Sequence, residues 1–149
     1  MDFLKYFVLL GLLPYVTPGR NLPPKIQLNF DFDSVDETQY DGLIIPGGRA
    51  PEYLRLNERV LQITSYFLEK NKPIAAICHG IQILTATDKI RGRTLTCYPA
   101  VSSELKFTGA NYADIAVDDA YVDGNLVTAK AWPAHTKWIQ KFLELFNKQ

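Results

Sequence analysis

The stretch KPIAAICHGIQIL, residues 72–84, decides how this chain folds. An apolar run, Ile74–Ile77, stops at Cys78-His79-Gly80, and an amphipathic run begins at once. A short all-apolar run bounded by turn signals reads as a strand covered on both faces. A strand passing straight into a helix is the repeating unit of a parallel α/β sheet. The same stretch therefore sets the fold class and places a thiol at a strand tip.

Working outward, YDGLIIPGG (40–48) supplies a second apolar strand, Leu43–Ile45, stopped by Pro46 and two glycines. A helix is expected over residues 51–71: Leu56, Val60, Ile63 and Phe67 form a stripe, Leu54, Leu61 and Leu68 widen it, and Pro51 suits a first turn. His79 to Ala86 is expected as another helix. GRTLTCY (92–98) reads as a strand, and PAVSSELKFTG (99–109) as a short helix ending at Gly109. Asp123-Gly124-Asn125 between AYV and LVTA predicts a hairpin. WPAHTKWIQKFLELFNK (132–148) closes the chain as an amphipathic helix with Trp138, Phe142 and Leu145 on one side. Upstream, KIQLNFDFD (25–33) alternates as a half-buried strand does, TPGRNLPP (17–24) reads as a loop, and KYFVLL (5–10) as a buried strand. The result is one α/β domain with a mostly parallel sheet over residues 25–149, preceded by an atypical segment, 1–24.

Composition narrows the function classes. Of 149 residues, 47% are hydrophobic and 21% charged, as in an ordinary globular protein. Lys plus Arg and Asp plus Glu number 16 each, so no basic surface for nucleic acid is expected. The apolar run FLKYFVLLGLLPYV (3–16) is broken by Lys5, Gly11 and Pro14 and is too short for a membrane span. It lacks the small-residue cleavage site of a secretory signal, so a buried strand in a cytoplasmic protein is the expectation. Two cysteines, Cys78 and Cys97, read as free thiols in a reducing compartment rather than as a bridge.

Ligands of parallel sheets bind beyond the carboxyl ends of the strands. Two such ends carry chemistry here, Pro46-Gly47-Gly48 and Cys78-His79-Gly80, and neighbouring strands would bring them together. Unpaired N–H groups at a helix start favour an anion, the setting in which a thiol becomes a nucleophile. A free Cys is otherwise often a small buried hydrophobe. His79 is a candidate base, although adjacent side chains converge only across a bent backbone; it reads equally as an exposed first-turn residue. Gly47 and Gly48 either end a strand or let a backbone N–H approach an oxyanion, and the N–H groups of Gly48 and His79 together would make an oxyanion hole.

The blocks LIIPGGRAPEYLR, KPIAAICHGIQIL and YPA resemble the PfpI family, within the PfpI / DJ-one superfamily, over about Lys25 to Phe146. That resemblance implies a flavodoxin-like three-layer sandwich, dimers or higher homo-oligomers, and no cofactor or metal. It implies a cysteine peptidase, a glutathione-independent glyoxalase, a deglycase or a chaperone-like stress protein, with a peptide or small-aldehyde substrate. Cys78 is then the nucleophile and His79 its partner, with Glu52 reaching the histidine of an adjacent subunit. As a residue alone, Glu52 reads as a solvated acid of a first helical turn. Trp132 and His135, in AWPAH (131–135), are candidate pocket residues or plain surface. The family also begins with a strand and a helix bearing a glutamate that bonds the cysteine. Residues 1–24 hold one acid, Asp2, so the N-terminal strand-helix-strand portion is expected to be incomplete, as in a truncated gene model. Two other readings are a redox-sensing module in which Cys78 oxidises, and a glutamine amidotransferase-like domain with His135 as base. Ala76 in place of a glycine and Thr136-Lys137 after His135 count against the latter.

Overall fold

The computed structural model describes residues 6–8 and 31–148. Among them a five-stranded sheet runs in the order β1 (Tyr6–Val8), β2 (Gly42–Ile45), β3 (Ile74–Ile77), β7 (Leu126–Ala129), β6 (Ala120–Asp123). The first four strands are mutually parallel, and β6 closes onto β7 as an antiparallel hairpin. A small parallel pair, β4 (Thr94–Leu95) and β5 (Asn111–Tyr112), stands beside it. The mostly parallel α/β sheet expected from the apolar runs is therefore present.

Helices cover both faces. The residues of β2 and β3 alternate between them because successive side chains on a strand point to opposite sides. Leu43, Ile45, Ile74 and Ala76 pack on one face with Val60, Ile63 and Phe67 of α2 (Glu58–Glu69), Ile81, Ile83 and Leu84 of α3 (Ile81–Ala86), and Leu105 of α4 (Ser102–Phe107). On the other face, Ala75, Ile77, Val127 and Ala129 meet Trp138, Phe142 and Leu145. Trp138 and Phe142 belong to α5 (His135–Glu144), and Trp138 Nε1 donates to the carbonyl of Val127 at 3.2 Å. The stripe Trp138-Phe142-Leu145 thus covers this face as its spacing predicted.

Several elements depart from the pattern reading. The helix expected over 51–71 is two helices, α1 (Ala50–Leu54) and α2, because Asn57 caps the second. Its Oδ1 accepts from the N–H groups of Arg59 and Val60, and the intervening Leu56 is 77% exposed instead of lying in the apolar stripe. The strand expected over 25–33 lies outside the described residues up to position 30. Its last three residues, Asp31–Asp33, belong to a turn closed by the Ser34 N–H on Asp31 Oδ1 at 2.8 Å. The strand in 92–98 shortens to Thr94–Leu95, and the helix after Cys78 opens as a 3-10 turn, Cys78–Gly80. The expectations for the loop 17–24 and for an incomplete N-terminal portion fall outside the described residues, except that Tyr6–Val8 form β1. No helix among the described residues is long and apolar enough to cross a membrane.

Candidate active site

Strand register brings the chemistry to one edge. Ile45 pairs with Ala76, and Ile77 pairs with Ala129. The residues that follow, Pro46-Gly47-Gly48, Cys78-His79-Gly80 and Lys130-Ala131-Trp132, therefore leave the sheet side by side at its carboxyl edge. Parallel strands end in the same direction, so this is where the topology collects side chains.

Cys78 sits at φ 60°, in the left-handed region that a residue with a Cβ seldom occupies. Such a conformation costs of order 1–3 kcal/mol and survives where its surroundings enforce it. Here two glycines do so. A Cβ on Gly80 would lie 2.6 Å from the Ile45 carbonyl oxygen and 2.9 Å from that of Pro46. A Cβ on Gly47 would lie 2.6 Å from Cys78 Cβ and 3.3 Å from its Sγ. The two tips thus interlock backbone to backbone. Gly48, at φ 81°, is exposed, and a Cβ added there would meet nothing within 4 Å.

The bend also solves the problem of adjacent side chains. Cys78 Sγ lies 3.3 Å from His79 Nδ1, so the imidazole can exchange a proton with the thiol. The His79 ring stacks on Tyr98 with centroids 5.1 Å apart and planes 25° apart, and the Tyr98 N–H reaches the Cys78 carbonyl at 3.4 Å. The stacked ring of Tyr98 restrains the imidazole, and Tyr98 remains 41% exposed.

Glu52 lies in the first turn of α1, which packs against the Cys78–Gly80 turn. Its carboxylate meets Arg49 at 3.5 Å, and its side chain remains 40% exposed. Among the described residues no hydrogen bond joins Glu52 to His79 of the same subunit. Trp132 and His135 follow β7 on the same edge; Trp132 is 77% exposed, and the exposed His135 ring contacts Trp138 with centroids 6.1 Å apart. Neither bonds to Cys78 or His79. Lys130 is nearly buried and pairs with Asp114. The sequence reading passed over Tyr98, Lys130 and the carboxylate of Glu104, which has partners on α3. The YPA block named Tyr98's neighbourhood without its role.

Both thiols are free. Cys97 is fully buried beside the site, and burial, assisted by the neighbouring Cys78 sulfur and the Glu104 carboxylate, pushes its thiol from 9.0 up to about 12. Cys97 is therefore inert at neutral pH, and a thiol reagent at about pH 8 should label Cys78 alone. The same shift has a stability consequence. Below pH 9 the thiol is protonated in both folded and unfolded chains and its contribution is intact. As pH rises from 9 toward 12, the unfolded chain loses a proton that the folded chain keeps, so stability falls through that window. Cys97→Val should flatten this alkaline loss, as read from urea midpoints compared at about pH 8 and about pH 10.5.

Comparison with known proteins fits this geometry. The model of the DJ-1/PfpI family matches residues 19–145. Protein DJ-1 homolog D of Arabidopsis thaliana is 45% identical over 123 residues, which are 82% of this chain and 32% of that protein. The deglycase PH1704 of Pyrococcus horikoshii is 37% identical over 122 residues, 82% of this chain and 72% of that one. Among solved structures, the ThiJ/PfpI domain protein from Brachyspira murdochii superposes with a TM-score of 0.71 at 25% identity, over 79% of this chain and 66% of the other. The chain thus spans about a third of the length of the plant relative and under three quarters of the archaeal one.

Proposed function

The chain belongs to the DJ-1/PfpI family, and from that premise we propose that it is a cysteine-dependent enzyme acting on carbonyl carbons, either of amide-like bonds or of reactive aldehydes. The observation that carries this reading is the Cys78 Sγ to His79 Nδ1 approach of 3.3 Å at a backbone bent to φ 60°. A thiol held at a half-buried turn beside an imidazole is the arrangement of an activated nucleophile. The deglycase named among the relatives supports the same class of substrate.

In this proposal His79 takes the thiol proton as Sγ attacks the carbonyl carbon. The oxygen that becomes negative is met by the N–H groups of Gly48 and His79, each such donor contributing about 10²–10³ in rate. With an amide, His79 returns its proton to the departing nitrogen, and water then releases the acyl group from sulfur. With an aldehyde, Cys78 forms a hemithioacetal, and a base must then move a proton between adjacent carbons, a contribution of about 10²–10⁴-fold. Within one subunit no carboxylate among the described residues contacts the thiol or the imidazole. The amide route asks less of the residues present. The aldehyde route draws on a carboxylate from elsewhere.

In the amide route of the proposal, Glu52 of the partner subunit reaches His79 and supports it as the base. The carboxylate is half exposed, and its neighbours Tyr53 and Leu56 present apolar surface at 49% and 77% exposure. A helix that shows an acid among exposed apolar side chains is suited to burial against a second copy. The test uses purified protein with methylglyoxal and with an aminocoumarin-linked peptide. Saturable turnover of one of them is expected, and turnover of neither overturns the enzymatic reading. Specific activity should fall on dilution through the association range; a constant rate from a demonstrated monomer rules out the shared site.

A further inference from the structure

Arg55 and Glu104 lie outside the thiol, imidazole and oxyanion donors, yet they join the two helices that carry them. Glu104, in the first turn of α4, offers its carboxylate to three side chains. Arg55, the residue that ends α1, reaches Oε1 at 2.7 Å. Thr85 Oγ1 of α3 donates to Oε1 at 2.7 Å, and Gln82 Nε2, four residues after Cys78, donates to Oε2 at 3.2 Å. Arg55 and Glu104 are each 29% exposed in their side chains, so the pair is partly withdrawn from solvent and less screened than a surface pair.

The need for such a tie follows from α1 itself. Five residues cannot hold a helix unaided, and its N-cap, Arg49, makes no side-chain capping bond. Its position must come from tertiary contacts. The helix follows directly on Gly47-Gly48 and carries Glu52 one turn before Arg55. Residues three apart lie on neighbouring sides of a helix, so anchoring Arg55 sets the rotation of α1, and with it the direction of Glu52 and the placement of the Gly48 N–H.

We infer that Arg55 and Glu104 are a positioning pair that ties α1 to α4 and, through Thr85 and Gln82, to the elbow helix α3, holding Gly48 and Glu52 in register with Cys78. The inference rests on the enzymatic reading for its consequence in turnover, and on geometry alone for the clamp. The pair touches no reacting atom, so its loss leaves the thiol chemically competent while misplacing the groups that assist it.

The experiment compares wild type with Arg55→Ala, Glu104→Gln and Arg55→Lys. Amide exchange over residues 50–55, read by mass spectrometry, should quicken at least about tenfold in Arg55→Ala and Glu104→Gln while α2 keeps its protection. Peptide or aldehyde turnover should fall about 10–100-fold, mainly in kcat. Alkylation of Cys78 by iodoacetamide, which uses neither the Gly48 N–H nor Glu52, should stay within about twofold of wild type, since the thiol itself is untouched. Arg55→Lys should recover most of the turnover, which separates a lost clamp from a lost fold. Unchanged exchange over 50–55 overturns the clamp. Quickened exchange with unchanged kcat overturns its role at the site. If wild type turns over neither substrate while exchange still quickens, the enzymatic reading falls and the clamp stands.

Discussion

Cys78→Ser is expected to lower turnover of any substrate the protein accepts by at least roughly a thousandfold, while Cys97→Ser keeps most of it. In the proposed mechanism the nucleophile, its base and the oxyanion donors act as one unit, so removing the atom that forms the bond forfeits nearly the whole effect. Serine keeps the size and the left-handed backbone position, and its hydroxyl is a far weaker nucleophile beside the same imidazole. Cys97 is fully buried in the core with its thiol pushed up to about 12, so it has neither the access nor the charge to attack a carbonyl. Steady-state rates of the two variants decide the matter. Equal residual activity in both removes Cys78 from the mechanism.

Gly80→Ala should also be damaging, by a different route. The added Cβ would stand 2.6 Å and 2.9 Å from two carbonyl oxygens of the neighbouring strand end, and backbone atoms there cannot swing aside as a flexible side chain can. The elbow would have to withdraw from Pro46-Gly47-Gly48, separating Sγ from the Gly48 N–H proposed as an oxyanion donor. A loss of roughly 100-fold in kcat and about 1–3 kcal/mol in stability is expected, the latter typical of overpacking. Gly92→Ala is the control. Gly92 has φ 78°, but a Cβ added there would meet nothing within 4 Å, so that variant carries backbone strain without collision. If the two variants match in kcat and in thermal midpoint, the interlock has no part in catalysis.

What could be read from the chain was whatever is written locally. An apolar strand stopped by Pro-Gly-Gly, and another stopped by Cys-His-Gly, are legible because the stop signals lie beside the runs they end. Their meeting at one edge follows from parallel pairing, and the sheet has it so. The bent backbone at Cys78 was recognisable as a requirement, since neighbouring side chains converge only across one. Asn57 was a capping signal that the Leu56-Val60-Ile63 periodicity overrode; a side chain able to accept two N–H bonds begins a new helix more strongly than a stripe continues an old one. The rest was illegible for a plain reason. Tyr98 meets His79 across nineteen positions, Arg55 meets Glu104 across forty-nine, and no local pattern pairs residues that far apart.

The sheet divides the interior into two unequal oily compartments, and the elbow is their common seam. Ala76 belongs to the larger, Ile77 to the smaller, and the next residue is the thiol, packed at the margin of the smaller one. A molecule built this way cannot soften on either side of its sheet without disturbing the same few atoms. On the proposed function, activity assayed after brief heating should therefore be lost at a lower temperature than the far-UV circular dichroism signal. The sulfur at position 78 stands where one compartment ends and the other begins.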